Sequence, residues 1–388
     1  MSSTVTLAIK NFAHLSDVCL EFGDLTVLVG AQGVGKSLAL QWLKTAIDGK
    51  QIVAALRDAG QNVEQPEKLV DLIFGVGMGG AWSAGTTIKF DGRPLSRAAI
   101  KKRGHGKEKV FFIPAHRAML ISDGWAAPFQ KLTAETPVVA RLFSQNLFDL
   151  FSPATKGDKL FPLERVLKKQ YRDLIDEAVF HGGTVGLEED AHHAKRLKLT
   201  HGTAQLPFMT WTAGQREFTP LLLGLYHLLP PRKLIKQPDI DWVVIEEPEM
   251  GLHPQAVTVV MLLCLDLLWR GYRVVLSTHS PLVLTVVWML GRLRETHARW
   301  QRVCDAFGLD KSSHGPLKKV AETALNKSKV LKTHLLSLDG AGLVRSKDIS
   351  TLNPADEDDD VSGWGGLAGF SSQFGETVRR AANDEANR

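Results

Sequence analysis

Apolar positions along the chain fall into two alternating patterns. Short β-branched or aromatic runs, Leu25–Val29, Val110–Ile113, Trp242–Ile245 and Arg273–Leu276, have the length and composition of buried strands. Between them apolar residues recur at helical spacing. They do so over 38–74, over 130–180, from Gln215 to about Leu229 before Pro230-Pro231, over Gln255–Trp269, and over 282–303. Buried strands alternating with helices predict an α/β domain with a mostly parallel sheet. Weaker strand signals lie outside this core. Thr4–Ile9 and Val18–Phe22 read as a hairpin, Thr86–Phe90 as a short strand closed by Asp91-Gly92, and 331–349 as two strands around Asp339-Gly340. Phe74–Gly80 and Ala81–Gly85 read as glycine-rich turns. There is no internal repeat and no sustained heptad.

Composition fits a globular chain: 388 residues, 44% hydrophobic and 23% charged. The net charge of +5 permits an anionic partner without arguing for one. Cys19, Cys264 and Cys304 are far apart with no CxxC, so reduced thiols are expected and a zinc site is not. No signal peptide is expected, and the longest apolar runs, such as Pro281–Leu290, are too short to span a bilayer. The expectation is a soluble cytoplasmic protein with no membrane partner.

Leu25–Val29 runs directly into Gly30-Ala31-Gln32-Gly33-Val34-Gly35-Lys36-Ser37, and helical spacing follows from Ser37 to about Ile47. Strand, glycine turn and helix start are the context in which Gly-x-x-x-x-Gly-Lys-Ser binds phosphate. The glycines let backbone N–H groups turn inward around a phosphate chain. Lys36 then reaches the β- and γ-phosphates, and Ser37 offers a hydroxyl to Mg²⁺. The helix directs its positive end at the anion. Trp242–Ile245 ends in Glu246-Glu247-Pro248-Glu249. At such a strand end the first acid, Glu246, holds the metal shell and the next, Glu247, polarises the attacking water. Adjacent strand residues face opposite sides, which lets the two acids take different roles.

In this order, Gly30–Ser37, Trp211–Gln215, Val243–Glu247 with Pro248-Glu249, and Ser277–Ser280 resemble Walker A, signature, Walker B and switch segments of the ABC superfamily of ATPases. The branch resembled is that of SMC-type, RecF-type and OLD-type heads rather than transporters. Ile9–Phe12, Leu20–Phe22 and Phe112–Arg117 are similar to such heads too, so the resemblance covers about 1–120 and 205–285. It implies a P-loop NTPase fold, with an ABC-type head over 1–120 and 205–350, a mainly helical insert over 121–204, and an acidic tail over 351–388. It implies that His279 contacts the γ-phosphate. It also implies that Thr212, Gly214 and Gln215 meet the nucleotide of a second subunit, so that ATP joins two heads or a higher homo-oligomer. Three positions depart from the family pattern: Gln32 for Asn, Ala213 for the first signature glycine, and Glu246 for Asp. None removes a needed functional group. The Q-loop glutamine is either Gln130 or Gln145.

Stand-alone heads of the Glu-Glu-Pro-Glu type resemble the ATPase subunits of two-gene phage-defence systems such as Septu, PARIS and retron cassettes, which implies a partner effector. A DNA-repair or chromosome-maintenance head is the second reading, and a transporter subunit the third. The stretch Arg97–Lys109 carries six cations against Glu108 and could face either nucleic acid or an acidic protein. His181, His192, His193 and His201 lack metal-ligand spacing, and Asp356–Asp360 reads as a solvated tail.

Overall fold

The computed structural model describes residues 4–121, 124–153, 158–189, 194–230 and 235–368. In chain order the strands are β1 (Val5–Phe12), β2 (Leu15–Phe22), β3 (Leu25–Val29), β4 (Trp82–Phe90), β5 (Arg93–Pro94), β6 (Val110–Ile113), β7 (Lys159–Phe161), β8 (Thr184–Glu189), β9 (Lys195–His201), β10 (Ala204–Pro207), β11 (Trp242–Glu246), β12 (Arg273–Thr278), β13 (Leu331–Leu338) and β14 (Val344–Asp348). The helices are α1 (Lys36–Asp58), α2 (Pro66–Phe74), α3 (Val138–Phe151), α4 (Lys169–Ile175), α5 (Ala213–Leu228), α6 (Pro254–Trp269), α7 (Pro281–Glu295), α8 (Gln301–Ala306), α9 (His314–Leu325) and α10 (Asp359–Ser362).

Ten strands form one mixed sheet in the order β5-β4-β1-β2-β14-β13-β3-β12-β11-β6. The four apolar runs are its parallel core, β3, β12, β11 and β6. Successive strand residues point to opposite faces. Accordingly Leu25, Val27 and Val29 enter one hydrophobic cluster with α5, α6 and α7, while Leu28 enters the other with α1 and α2. Val243 and Ile245 against Trp242 and Val244 repeat the division. Helices on both faces explain why these strands are largely apolar and buried at nearly every position.

The β1–β2 hairpin does not adjoin β3. The later hairpin β13–β14 lies between them, with β13 parallel to β3 and β14 parallel to β2. Sequence patterning shows that these strands exist but not this intercalation. The turn expected over Ala81–Gly85 is instead the start of β4, where Trp82 pairs with Phe12. Trp82, Phe12, Trp42 and Phe74 pack ring on ring at 4.6–6.1 Å. That aromatic demand overrides the local turn signal.

α1 reaches beyond the expected end near Ile47. Asp48 is a kink, φ −112°, and the helix continues to Asp58. At the kink the Asp48 carboxylate accepts from the Lys109 and Val110 N–H groups and pairs with the buried Lys44 at 3.0 Å. Lys44 also reaches Glu108 at 2.6 Å and the Val110 carbonyl at 2.6 Å. The P-loop helix is thereby tied to the start of β6.

The insert holds α3 and α4, and also a small antiparallel sheet, β10-β9-β8-β7. Its period-two signal is Val185 and Leu187 facing Leu197 and Leu199, all buried. The dense charges between these residues obscure that alternation in the sequence. Residues 351–368 fold against the domain. Leu352 is buried, the Trp364 indole donates to its carbonyl, and Lys347 bridges Asp358 and Asp360. Two of the five acids in the run, Asp358 and Asp360, are thus paired, while Glu357 and Asp359 stay exposed. His192, His193, Pro231 and the tail beyond 368 lie outside the described residues. Among the described residues, no helix is long and apolar enough to cross a membrane.

Candidate active site

Parallel register brings four carboxyl-terminal strand ends side by side, the usual location of a site in such sheets. β3 ends at the glycine loop, β12 at His279, β11 at Glu246 and β6 at Pro114-Ala115. Gly33 and Gly35 hold left-handed φ values of 79° and 82°. At Gly30, φ 149°, a Cβ would lie 2.2 Å from the Leu336 carbonyl oxygen. Glycine is required there both by conformation and by the close approach of β13. Lys36 follows the loop and folds back over it. Its ammonium donates to the Gly30 carbonyl at 2.8 Å and the Ala31 carbonyl at 3.0 Å, and meets His279 Nε2 at 3.0 Å. Burial lowers this ammonium to about 8, against the opposing pull of Glu247, Glu249 and Glu246.

Glu246 is buried at the end of β11. Its Oε2 accepts the Ala115 N–H at 3.1 Å, while Oε1 is buried without a partner. Burial raises its carboxyl above the usual range, and hydrogen bonds from Ser37 and Ala115 oppose that rise. A buried carboxylate oxygen with no donor, beside a P-loop serine, is the donor set a hard divalent cation takes. Glu247 is separated from Glu246 by a turn, not by strand alternation. Its φ is 42°, its N–H donates to the Ser277 carbonyl, and its carboxylate lies 3.1 Å from His279 Nε2. That one ring nitrogen faces both Lys36 and Glu247, and it can accept from the first or donate to the second, not both.

Two further residues hold this arrangement. Glu249 Oε1 accepts the Thr278 hydroxyl at 2.6 Å and the His279 N–H at 2.7 Å, fixing the backbone that presents the imidazole. Arg117 is completely buried and donates to backbone carbonyls at the ends of β6 and β11 and in α5. Both stand inside the quoted motifs, Glu-Glu-Pro-Glu and Pro-Ala-His-Arg, but their roles depend on contacts between distant segments.

The signature segment is elsewhere. Thr212 caps α5, its hydroxyl accepting from the Gln215 N–H while Gln215 Oε1 accepts from the Thr212 N–H. Gln215 Nε2 also donates to the Val179 carbonyl, so both side chains serve the cap. The first N–H groups of the helix have no intrahelical partner. They open to a cleft of about 390 Å³ lined by Thr212, Ala213, Gly214, Gln215, Gly251 and His253, among others. No residue of 30–37 lines it.

Neither Gln130 nor Gln145 stands at the end of β6, where Ala115, His116 and Arg117 are. Gln145 instead holds the Phe129 N–H and Asp149. In the basic stretch, Arg97, Lys101, Lys107 and Lys109 pair with Glu67, Glu64, Asp239 and Asp241. Among the described residues, no group of three or more His, Cys, Asp or Glu side chains is placed to hold a metal.

The glycine loop after β3 and the paired acids at the end of β11, with β12 between them, define the class, a P-loop ATPase of mixed α/β fold. Residues 129–285 match the family model described as "AAA domain, putative AbiEii toxin, Type IV TA system". The matched segment contains the signature, Walker B and His279 segments but not the glycine loop. No curated protein matches the chain. The chain is similar to three solved SMC heads. The SmcHead bound to the C-winged helix domain of ScpA has a TM-score of 0.45 and 11% identity over 89% of this chain and 97% of that one. The SMC head domain from Thermotoga maritima has 0.38 and 12% over 89% and 98%. The Smc head with an extended coiled coil, bound to the C-terminal domain of ScpA derived from Pyrococcus furiosus, has 0.36 and 11% over 90% and 96%.

Proposed function

We propose that this chain binds and hydrolyses ATP between two copies of itself, as the sensor or motor subunit for an effector protein in cytoplasmic anti-phage defence. The observation that carries the ATPase reading is the convergence of Lys36, Glu246, Glu247 and His279 at neighbouring strand ends. Loop N–H groups and Lys36 bind the phosphates, and Ser37 and Glu246 hold Mg²⁺. The bound ion would polarise the phosphoryl oxygens. Glu247 orients and deprotonates the attacking water, while His279 faces the γ-phosphate.

The separate cleft at the start of α5 supports assembly in trans. Its N–H donors and helix dipole suit an anion, yet the chain's own phosphate loop does not line it. A second copy supplies the phosphate. The matched model's description names a toxin–antitoxin system, which supports a partner gene product. The ion pairs that four cations of Arg97–Lys109 make with Glu64, Glu67, Asp239 and Asp241 support that reading over direct DNA binding.

Mixing two inactive variants tests the proposal. Gly214 is a poor target, because a Cβ there would meet the Gly251 carbonyl oxygen at 3.0 Å in the same chain. Ala213 is exposed and already carries a Cβ. Lys36→Ala and Ala213→Glu should each fail to release phosphate from ATP. A mixed dimer has one intact site and one carrying both defects, so the mixture should recover part of the activity. Activity linear in protein to nanomolar concentration, with monomer mass in ATP, would remove the trans reading.

A further inference from the structure

We propose that Arg117 is a positioning residue that couples the start of the signature helix to the Glu247 turn. The inference rests on the ATPase reading above and adds a path by which one nucleotide site reports to the other. Arg117 is fully buried. An isolated charge in such a place is costly unless its donors are taken up. Its hydrogen-bond partners are backbone carbonyls, drawn from three segments. Nε donates to the Glu217 carbonyl in the first turns of α5 at 3.0 Å. Nη1 donates to the Pro114 carbonyl at 3.4 Å, the Glu246 carbonyl at 3.1 Å and the Glu247 carbonyl at 3.4 Å, and Nη2 to Glu247 at 3.4 Å.

The carbonyl it clamps belongs to a residue in a left-handed conformation, φ 42°. Such a conformation in a non-glycine residue persists only where surrounding contacts impose it. A second contact runs beside the first. The turn after Glu247 approaches α5 so closely that a Cβ on Gly214 would lie 3.0 Å from the Gly251 carbonyl oxygen. A shift of the helix start therefore moves the backbone of Glu247 through Arg117. In the assembled pair the helix start meets the partner's nucleotide, while Glu247 serves the chain's own. The planar fork matters: a lysine supplies the charge but cannot reach the three segments at once.

Steady-state phosphate release by wild type, Arg117→Lys, Glu247→Gln and the double variant tests this. Arg117→Lys should melt within a few degrees of wild type and keep its KM for ATP within threefold, while kcat falls at least tenfold. In the Glu247→Gln background the same change should lower the residual rate by less than twofold, because the route through Glu247 is already lost. A general loss of folding would lower both backgrounds alike. Arg117→Gln repeats the measurement if the lysine variant does not fold. Wild-type kcat in Arg117→Lys, equal losses in both backgrounds, or failure of both variants to fold overturns the coupling and leaves the ATPase reading standing. An inactive wild type, or a fully active Glu247→Gln, overturns the ATPase reading instead.

Discussion

The Lys36 ammonium touches His279 Nε2 at 3.0 Å, and the Gly30 and Ala31 carbonyls take its other donors. A triphosphate must win this cation from contacts already made. Removing the cation loses a charged hydrogen bond worth about 1.5–3 kcal/mol. Lys36→Ala is thus expected to weaken ATP binding roughly tenfold to a hundredfold in calorimetry. His279→Ala removes a competitor, so it should bind ATP as tightly as wild type or a few-fold tighter, while phosphate release falls.

Glu246 and Glu247 are expected to fail differently. Glu247→Gln should still bind ATP, with turnover reduced about 10²- to 10⁴-fold as water activation is lost. Glu246→Gln removes the buried carboxylate with the unpartnered oxygen. Its main effect should be a higher Mg²⁺ concentration for half-maximal phosphate release. A magnesium titration of both variants separates the two roles, and exchanged phenotypes would exchange the assignments.

Two loop glycines separate strain from collision. At Gly33 the space beyond the backbone is open, so Gly33→Ala meets only the cost of a left-handed residue, about 1–2 kcal/mol. At Gly30 a Cβ would strike the Leu336 carbonyl oxygen at 2.2 Å. Gly30→Ala should force β3 from β13 and lower the melting temperature well beyond the few degrees expected for Gly33→Ala. Thermal melts followed by circular dichroism compare them directly.

Lys44 is buried between Asp48 and Glu108. Removing one partner of a buried ion pair leaves an uncompensated charge, at a cost of about 3–5 kcal/mol. Lys44→Met should lose that much in urea unfolding, even though methionine fills similar space. Loss below about 1 kcal/mol would show that Asp48 is held by its backbone donors alone.

The buried strand runs, the glycine loop and the paired acids were legible because each is a local signal: apolar continuity, turn chemistry, a strand-end charge. Arg117 and Glu249 were visible as letters but not as roles. Arg117 acts through carbonyls a hundred or more residues away, such as those of Glu217 and Glu247. Glu249 acts on His279 across the gap between β11 and β12. The insert's sheet hid behind charges that alternate with Val185, Leu187, Leu197 and Leu199. The turn expected before Thr86 yielded to the packing of Trp82 on Phe12. In each case contacts between remote segments decided what local propensity left open.

The position of the β13–β14 hairpin also sets a schedule for synthesis. β3 carries the phosphate loop, and one of its two neighbours in the sheet is supplied only by Leu331–Leu338. Until the ribosome has delivered β13 and then β14, one edge of β3 and one edge of β2 respectively have no partner. Gly30 likewise lacks the Leu336 backbone that closes over it. A growing chain that has finished its first three hundred residues therefore holds every residue of the candidate site but not the finished loop.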